Sequence, residues 1–556
     1  MNFTDLPRFA RNLNRLREIL TVLSKYGLAD WLSRHPDIHF TSVLKSKMPE
    51  RLTNASHPAR IRMALAELGP TFIKIGQILS TRPDLVGPEL AQALAALQED
   101  APVDPPKIVR QTIERELGEP VEQLFASFDD VPLASASIGQ VHHATLTTGE
   151  EVVIKVQHPG IEDKIRTDLD IFVGLAEVAE QLLPELRRYR PRETASEFQR
   201  TIIRELDFGR EERNLVQFAA NFAKNTDVCF PRPCPEHSSS RVLTMEFLEG
   251  TKVSAAARLT EQHFDLQDVA RRGANIYLDM IFRDGFYHAD PHPGNVLVLT
   301  DGRIGMLDCG MVGRLDDATR DRIEDLLLAI TQRDAGKLTA IITQIGSTPP
   351  KLDEAALAAD VADFIAFHGS RPLEEFEIGK ALTDMTAIIR RFEIVLPANI
   401  ALLIKVLIML EGTSKHLNPT FNLTELMVVY QRKIMRRRLS PGRYFSKVKR
   451  LYQEWMYLGE IFPRSLANIM HQAQKGRLDI HLSHRRLEPA VNRLVAGLLA
   501  SSFFVGASLM LAMKVPPVLG GLSVLGLLSG GFSVMVAFRL YLAIRKSGHL
   551  DQKDDA

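Results

Sequence analysis

The chain has 556 residues, 45% of them hydrophobic and 24% charged, with 68 basic residues against 68 acidic ones. That length suits several domains, or one large domain with additions, and the composition is that of a packed core. The balanced charge gives no global attraction to nucleic acid, so only local clusters carry such information. Cys229, Cys234 and Cys309 make no disulfide framework and fit a reducing compartment; Cys229 and Cys234 lack the second pair of ligands that structural zinc requires.

Arg8, Arg11, Arg15 and Arg17 interrupt the first 30 residues, so no secretory signal is read there. Residues 1–100 read as helical. Leu13, Leu16, Leu20 and Leu23 share one helical face, with Arg11, Arg15 and Glu18 away from it. This spacing predicts a helix packed on the main domain, with a helix lying on a membrane surface as the alternative. In Thr71–Ser80, Lys74 and Gln77 are three apart and share a face amid Phe72, Ile73, Ile75, Ile78 and Leu79. Either they are buried with partners or the lysine is solvated.

From about residue 121 the pattern changes to short strands. Val131-Pro-Leu and Gln140-Val-His-His-Ala precede a Thr147-Thr-Gly-Glu turn and the run Glu151-Val-Val-Ile-Lys-Val-Gln, which predicts a hairpin. Residues 161–224 are helical in period, Arg241–Leu248 reads as a strand, and 262–287 as helical. A loop rich in His, Asp, Pro and Gly follows. The helical pattern resumes from about 316 to 430, opened by Asp316 and Asp317.

Four pieces stand in the order that a protein-kinase-like site requires. Lys155 ends the alternating Val152-Val-Ile-Lys strand, where a cation can reach ATP phosphates. Glu205, in a helical stretch 50 residues later, is placed to hold that lysine. In His288-Ala-Asp-Pro-His-Pro-Gly-Asn295, Asp290 and Asn295 have the five-residue spacing of a kinase catalytic loop: the aspartate orients or deprotonates a nucleophile, and the asparagine oxygen binds Mg²⁺. Asp308, in Met306-Leu-Asp-Cys-Gly310, is the second expected Mg²⁺ ligand.

Two features depart from an ordinary protein kinase. The glycine-rich loop is replaced by Leu133-Ala134-Ser135-Ala136-Ser137-Ile138-Gly139-Gln140-Val141, whose single glycine leaves Ser135 and Ser137 as candidate phosphate contacts. No Ala-Pro-Glu follows Asp308, and the helix expected near Asp316 leaves little room for a peptide-docking platform.

Together these residues resemble the UbiB family of atypical kinase-like proteins. Lys74-Ile-Gly76-Gln77 is similar to its Lys-x-Gly-Gln signature, and Leu133–Val141 to its alanine-rich nucleotide loop. Glu205-Leu-Asp207 resembles its Glu-x-Asp motif, with Glu211 a further acidic position; His288–Asn295 and Asp308-Cys-Gly310 resemble its catalytic and metal loops. The resemblance covers essentially the whole chain. It implies an α+β, atypical protein-kinase-like two-lobe fold, with a helical extension over 1–120, an N-lobe over 121–250 and a mostly helical C-lobe over 251–430. A basic linker (431–490) and a transmembrane hairpin (491–545) complete it. It also implies ATP and Mg²⁺ as cofactors, nucleotide contacts from Leu133–Val141, Lys155, Met245, Glu246 and Phe247, and ATP-dependent support of ubiquinone synthesis at the bacterial inner membrane. The implied partners are membrane lipids, isoprenoid quinone precursors and other ubiquinone-biosynthesis proteins. An ATPase acting on or for quinone precursors, a protein or small-molecule kinase, and a nucleotide-binding scaffold are the three readings. The sequence leaves open which of Glu205 and Glu211 pairs with Lys155 and which with Lys74; Glu205 is the expected partner of Lys155.

Residues 431–450 hold nine Lys or Arg and no acid, from Arg432 to Arg450, which reads as contact with anionic lipid rather than nucleic acid, or as a solvated linker helix. Leu494–Met513 and Val515–Phe538 are uncharged runs of 20 and 24 residues, each long enough to span a bilayer. Arg485, Arg486 and Arg493 before them, and Arg539, Arg545 and Lys546 after, predict a two-pass hairpin with both termini and the kinase-like domain in the cytoplasm. Gly526 and Gly530 form a small-residue face that could pack the two helices or make a homodimer.

Overall fold

A computed structural model describes residues 12–28, 55–97, 102–369, 377–427, 429–430, 456, 487–519 and 522–546. The basic run from Arg432 to Arg450 lies outside them, as do Arg8 and Arg11. The chain divides into two compact units, Met1–Ser440 and Pro441–Ala556.

The first unit opens with helices α1 (Leu13–Lys25), α2 (His57–Leu68), α3 (Pro70–Ser80), α4 (Pro83–Val86), α5 (Pro88–Ala95) and α6 (Pro106–Leu117), with the short α7 (Val121–Leu124) leading into the sheet. Proline at the first turn of α2 to α6 fits the helix start, where its missing N–H costs nothing. Leu16, Ile19 and Leu20 of α1 are fully buried, so this helix packs on the main body as its period predicts. Arg15, read as facing away, is largely covered: its guanidinium forks onto the buried Asp168 at 2.7 and 3.0 Å. Thr71 of α3 donates to the same carboxylate at 2.7 Å. Further on, buried Arg82 pairs with Asp84 at 2.8 Å and donates to Leu396 O at 3.0 Å, so the extension is fastened to segments on both sides of it.

The main sheet is antiparallel, in the order β1 (Phe125–Phe128), β3 (Gly139–Leu146), β4 (Glu151–Gln157), β6 (Val242–Glu246), with β2 (Ala134–Ser135) paired to β3. The predicted hairpin is β3–β4, turned by Gly149 at φ +89°. Side chains alternate along β4. Val152, Ile154 and Val156 enter an apolar cluster with Val109 and Ile113 of α6, each worth roughly 1.5–3 kcal/mol of burial. Val153, Lys155 and Gln157 take the other face. This alternation carries Lys155 inward.

Helices α8 (Ile161–Leu182), α9 (Pro191–Glu205) and α10 (Phe208–Asn221) fill the stretch read as continuously helical. The break between α9 and α10 was not predicted. It falls at Leu206-Asp207, where the Asp207 carboxylate caps α10 by accepting from Gly209 N at 3.1 Å. A second sheet runs β5 (Val228–Cys229), β10 (Ile304–Met306), β9 (Val296–Leu299), β7 (Gly250–Lys252). Between β7 and β9 lie α11 (Ala256–Glu261), α12 (Leu266–Leu278) and β8 (Phe286–His288); β8 pairs with β11 (Val312–Arg314). Then come α13 (Asp317–Thr331), capped by Asp316 through Thr319 N at 2.7 Å, and α14 (Ala335–Ile345), α15 (Glu354–Gly369), α16 (Ile378–Arg391) and α17 (Ala398–Leu417).

The described part of the second unit is a helical hairpin, α18 (Leu487–Ala512) and α19 (Val524–Lys546), joined through β12 (Val518–Leu519) and β13 (Leu522–Ser523). One helix window, Val495–Ala512, is long and apolar enough to cross a membrane; the apolar part of α19 is shorter, Val524–Leu540. Of the expected pair of spans, one helix meets the length and hydropathy of a span and the second is shorter. The second uncharged run spends its first nine residues in the connection, where Pro516 and Pro517 cannot sustain a helix. Ser533 donates to Ala500 O at 2.7 Å, Phe503 meets Phe532 edge-on, and Gly526 and Gly530 lie against Leu511 and Ala507. The small-residue face is thus used within the hairpin.

Candidate active site

The strand β4, the helix α10 and the segment after β10 converge on one cleft. Along α10, Phe208, Glu211, Asn214, Leu215 and Phe218 form the buried stripe, so the helix that packs its phenylalanines also drives a carboxylate inward. Glu211 Oε2 accepts from Lys155 Nζ at 2.9 Å, and Asp308 Oδ1 lies 3.4 Å from the same ammonium. The Phe208 ring lies 5.2 Å from that nitrogen. Asn214 donates to Cys309 O at 2.9 Å and ties α10 to the Asp308 turn.

This corrects one expectation. Glu205 does not hold Lys155: it pairs with Lys74 of α3 at 3.2 Å, and Glu211 takes the place expected of Glu205. The physical reason is the chain break at 206–207, which puts Glu205 at the end of one helix and Glu211 in the first turn of the next.

Burial pushes the Glu211 carboxyl up, to about 7, against the pull of Lys155. The Lys155 charge holds the Asp308 carboxyl well below the usual carboxylate range. Asp308 sits at φ +48°, in the left-handed region that side chains rarely adopt, and its side chain is 54% exposed to the cleft. Gly310 N donates to its Oδ1 at 3.3 Å.

The loop after β8 supplies the opposite wall. His288 is fully buried; its Nε2 donates to Leu307 O and Asp308 O at 3.1 and 3.0 Å, and its Nδ1 accepts from Asp290 N at 3.2 Å. Asn295 Nδ2 donates to Asp290 Oδ2 at 2.7 Å. That bond leaves Asn295 Oδ1 and the second Asp290 oxygen without a partner among the described residues. Glu211 Oε1 is buried and equally unpartnered.

Among the described residues no three His, Cys, Asp or Glu side chains cluster so as to hold a metal by themselves. Mg²⁺ is usually held by one or two protein oxygens together with nucleotide phosphates. Asp308, ionised and open to the cleft, and the unspent Asn295 Oδ1 fit that description.

The remaining assigned residues are divided by the structure. Ala134 and Ser135 form β2 and Ala136 N bonds Gly139 O at 2.9 Å, closing a tight turn at the rim of the sheet. Leu133 is exposed, and Val141 stands opposite Lys155 in the β3–β4 register. Ser137 and Ile138 are buried, and Ser135 Oγ donates to Pro102 O at 3.4 Å. Gln140 points to the far side of the sheet, where its Oε1 accepts from Asp104 N. Gly139 is needed because a Cβ there would lie 2.4 Å from Val156 O. Met245 and Glu246 end β6 and Phe247 follows it, with the N–H groups of Glu246 and Phe247 already bonded to Arg232 O and Glu151 O. Lys74 and Gln77 are half-buried on α3, and Gly76 lets α3 approach α5 so closely that a Cβ would meet Leu97 at 2.3 Å. Sequence reasoning missed Phe208 and Asn214; both lie at helical spacing from Glu211, which was the available signal.

An ammonium braced by a carboxylate, two hard oxygen donors and an aspartate with a free oxygen can carry phosphoryl transfer by positioning and charge neutralisation.

The family model for the ABC1 atypical kinase-like domain matches residues 96–342, that for the UbiB helical domain 361–422, and that for the ABC1/UbiB kinase-like C-terminal domain 479–546. The "Probable protein kinase UbiB" of Pseudomonas aeruginosa (strain LESB58) is 34% identical over 459 residues, which are 81% of this chain and 86% of that protein. The protein of the same name from Azotobacter vinelandii is 33% identical over 515 residues, 91% of this chain and 94% of the other. A solved complex of Rv3197 with erythromycin from Mycobacterium tuberculosis aligns with a TM-score of 0.43 at 26% identity, covering 64% of this chain and 94% of that one. The mixed helix-and-sheet architecture is that of a kinase-like ABC1 domain, and the chain belongs to the UbiB family of atypical kinase-like proteins.

Proposed function

We propose that the protein is an ATP- and Mg²⁺-dependent ATPase of the inner membrane that supports ubiquinone biosynthesis, working on or for membrane-borne quinone precursors. The observation that carries this reading is the meeting of Lys155, Glu211 and Asp308 in one cleft, faced by Asp290 and Asn295. Lys155 and the 134–141 turn bind and orient the triphosphate; Asp308 and Asn295 hold the metal; Asp290 orients the attacking group. Mg²⁺, when bound, neutralises phosphate charge.

Three features favour a lipid-linked role over peptide phosphorylation. Helix α13 starts at Asp317, nine residues after Asp308, and β11 is already paired to β8 within that interval. Helix α3, through Lys74–Glu205, stands beside the cleft. The hairpin of the second unit presents apolar side chains outward: Phe504, Leu528 and Phe538 are 57–68% exposed, a surface that calls for lipid or a partner. We read it as a two-pass anchor with both termini in the cytoplasm, the shorter α19 spanning together with its flanking residues. A phosphotransferase acting on a small or protein acceptor is the second reading, favoured by the unpartnered oxygen of Asp290.

Purified full-length protein with MgATP should release free phosphate, faster on anionic liposomes carrying isoprenoid quinone precursors. Labelled phosphate on a defined acceptor, lost in Asp290→Asn, would establish the second reading instead. Absence of turnover in every lipid mixture, with no acceptor labelled, would remove both.

A further inference from the structure

Lys405 lies at the middle of α17, a helix braced against the catalytic loop region at two points. Tyr287 donates its hydroxyl to Asn399 O at 3.2 Å, and Thr413 Oγ1 donates to Pro291 O at 3.1 Å, the residue next to Asp290. Lys405 and Thr413 are eight residues apart and so lie on one stripe of the helix. Thr413 marks the side of the helix that lies against the catalytic loop. The Lys405 ammonium is attracted by Asp290 and Glu205 and repelled by Lys74.

Among the described residues Lys405 makes no ion pair and no hydrogen bond. The neighbouring acids are already engaged, Asp290 with Asn295 and Glu205 with Lys74. A half-buried cation with no direct ion pair of its own is costly to hold. Burial accordingly lowers its proton affinity below that of an ordinary lysine. Such a group is out of balance until an anion joins it. The loop itself carries no lysine or arginine: between Asp290 and Asn295 stand only Pro291, His292, Pro293 and Gly294. Phosphoryl transfer places negative charge on the terminal phosphate beside the aspartate, where a fixed cation is worth most.

We propose that Lys405 contacts the terminal phosphate of a bound nucleoside triphosphate, delivering from the helical segment the lysine that the catalytic loop lacks. Lys155 would then serve the inner phosphates and Lys405 the outermost one. The inference rests on the nucleotide-binding reading above.

Binding of MgATP and MgADP to full-length protein, by titration calorimetry, tests it in wild type, Lys405→Met and Lys405→Arg. A charge-assisted contact to the terminal phosphate is worth about tenfold or more in affinity. Lys405→Met should therefore weaken MgATP by about that factor, leave MgADP within roughly twofold, and melt no lower than wild type without ligand, because no partner is lost. Lys405→Arg should restore most of the preference for MgATP. Equal weakening of both nucleotides with a lower melting temperature would make Lys405 a structural lysine and overturn the proposal, as would unchanged affinities for both. Should Lys405→Met fail to fold, the ratio of the two affinities in Lys405→Gln decides the same question. A wild-type protein that binds neither nucleotide would overturn the nucleotide reading itself and this inference with it.

Discussion

The cleft contains two lysine–glutamate pairs that are alike in chemistry and unlike in foundation. Lys155–Glu211 joins a central strand to the buried stripe of α10; Glu211 is 4% exposed, and both backbones are fixed by the core. Lys74–Glu205 joins a helix of the N-terminal extension to the last residue of α9, with both side chains 15–17% exposed and a longer contact. The first pair is set by sheet register. The second exists only while the extension stays docked through Asp168 and Arg82. One belongs to the machine and the other to its cover, and substitutions should tell them apart.

The largest effect is expected outside both pairs, at the residue the inner pair serves. Asp308→Asn should lower phosphate release by at least about a hundredfold, since it removes the charged metal donor, while melting temperature changes little because the side chain is half open to solvent. Retained turnover would deny Asp308 its role. Next come the pairs themselves, compared by double-mutant cycles in thermal or chemical unfolding. The Lys155→Met and Glu211→Gln cycle should give a coupling of about 2–3 kcal/mol, and the Lys74→Met and Glu205→Gln cycle about 1 kcal/mol or less. Equal couplings would erase the distinction between machine and cover. In activity the order differs: Lys74→Met should shift nucleotide preference or basal turnover several-fold while stability stays within about 1 kcal/mol. Equal destabilisation with unchanged nucleotide binding would make Lys74 merely structural.

The smallest effect is in pH. Glu211 titrates near 7 in the folded protein, above the ordinary glutamate value, so the folded state holds its proton longer than the unfolded chain does. The contribution is fully present below about pH 4.5 and is lost as pH rises to about 7. Glu211→Gln should therefore gain stability relative to wild type between pH 5 and pH 8, read from melting temperatures. A constant difference would mean that Glu211 stays ionised throughout.

The hairpin of Gly139–Gln157, the helix start at Asp316 and the loop carrying Asp290 and Asn295 were legible because period, turn residues and spacing are local properties. Which glutamate serves which lysine was not. Glu205 and Glu211 differ by six residues, and their fates are separated by a helix break that depends on Asp207 acting as a cap rather than as a charge on a continuing helix. The start of the second apolar helix was not legible for a related reason: an uncharged composition passes through Pro516 and Pro517 unchanged, while a helix does not. Lys405 gave no signal, because it stands in an apolar helical run and takes its meaning only from the loop that α17 lies against.

His288 has a consequence for how the cleft responds to a ligand. Its imidazole donates hydrogen bonds to the carbonyls of Leu307 and Asp308 on one edge and accepts one from the Asp290 N–H on the other. The residue that would touch the metal and the residue that would touch the acceptor are therefore joined through one rigid five-membered ring. A ligand that shifted the backbone at Asp308 would therefore be felt at the peptide of Asp290 through that ring.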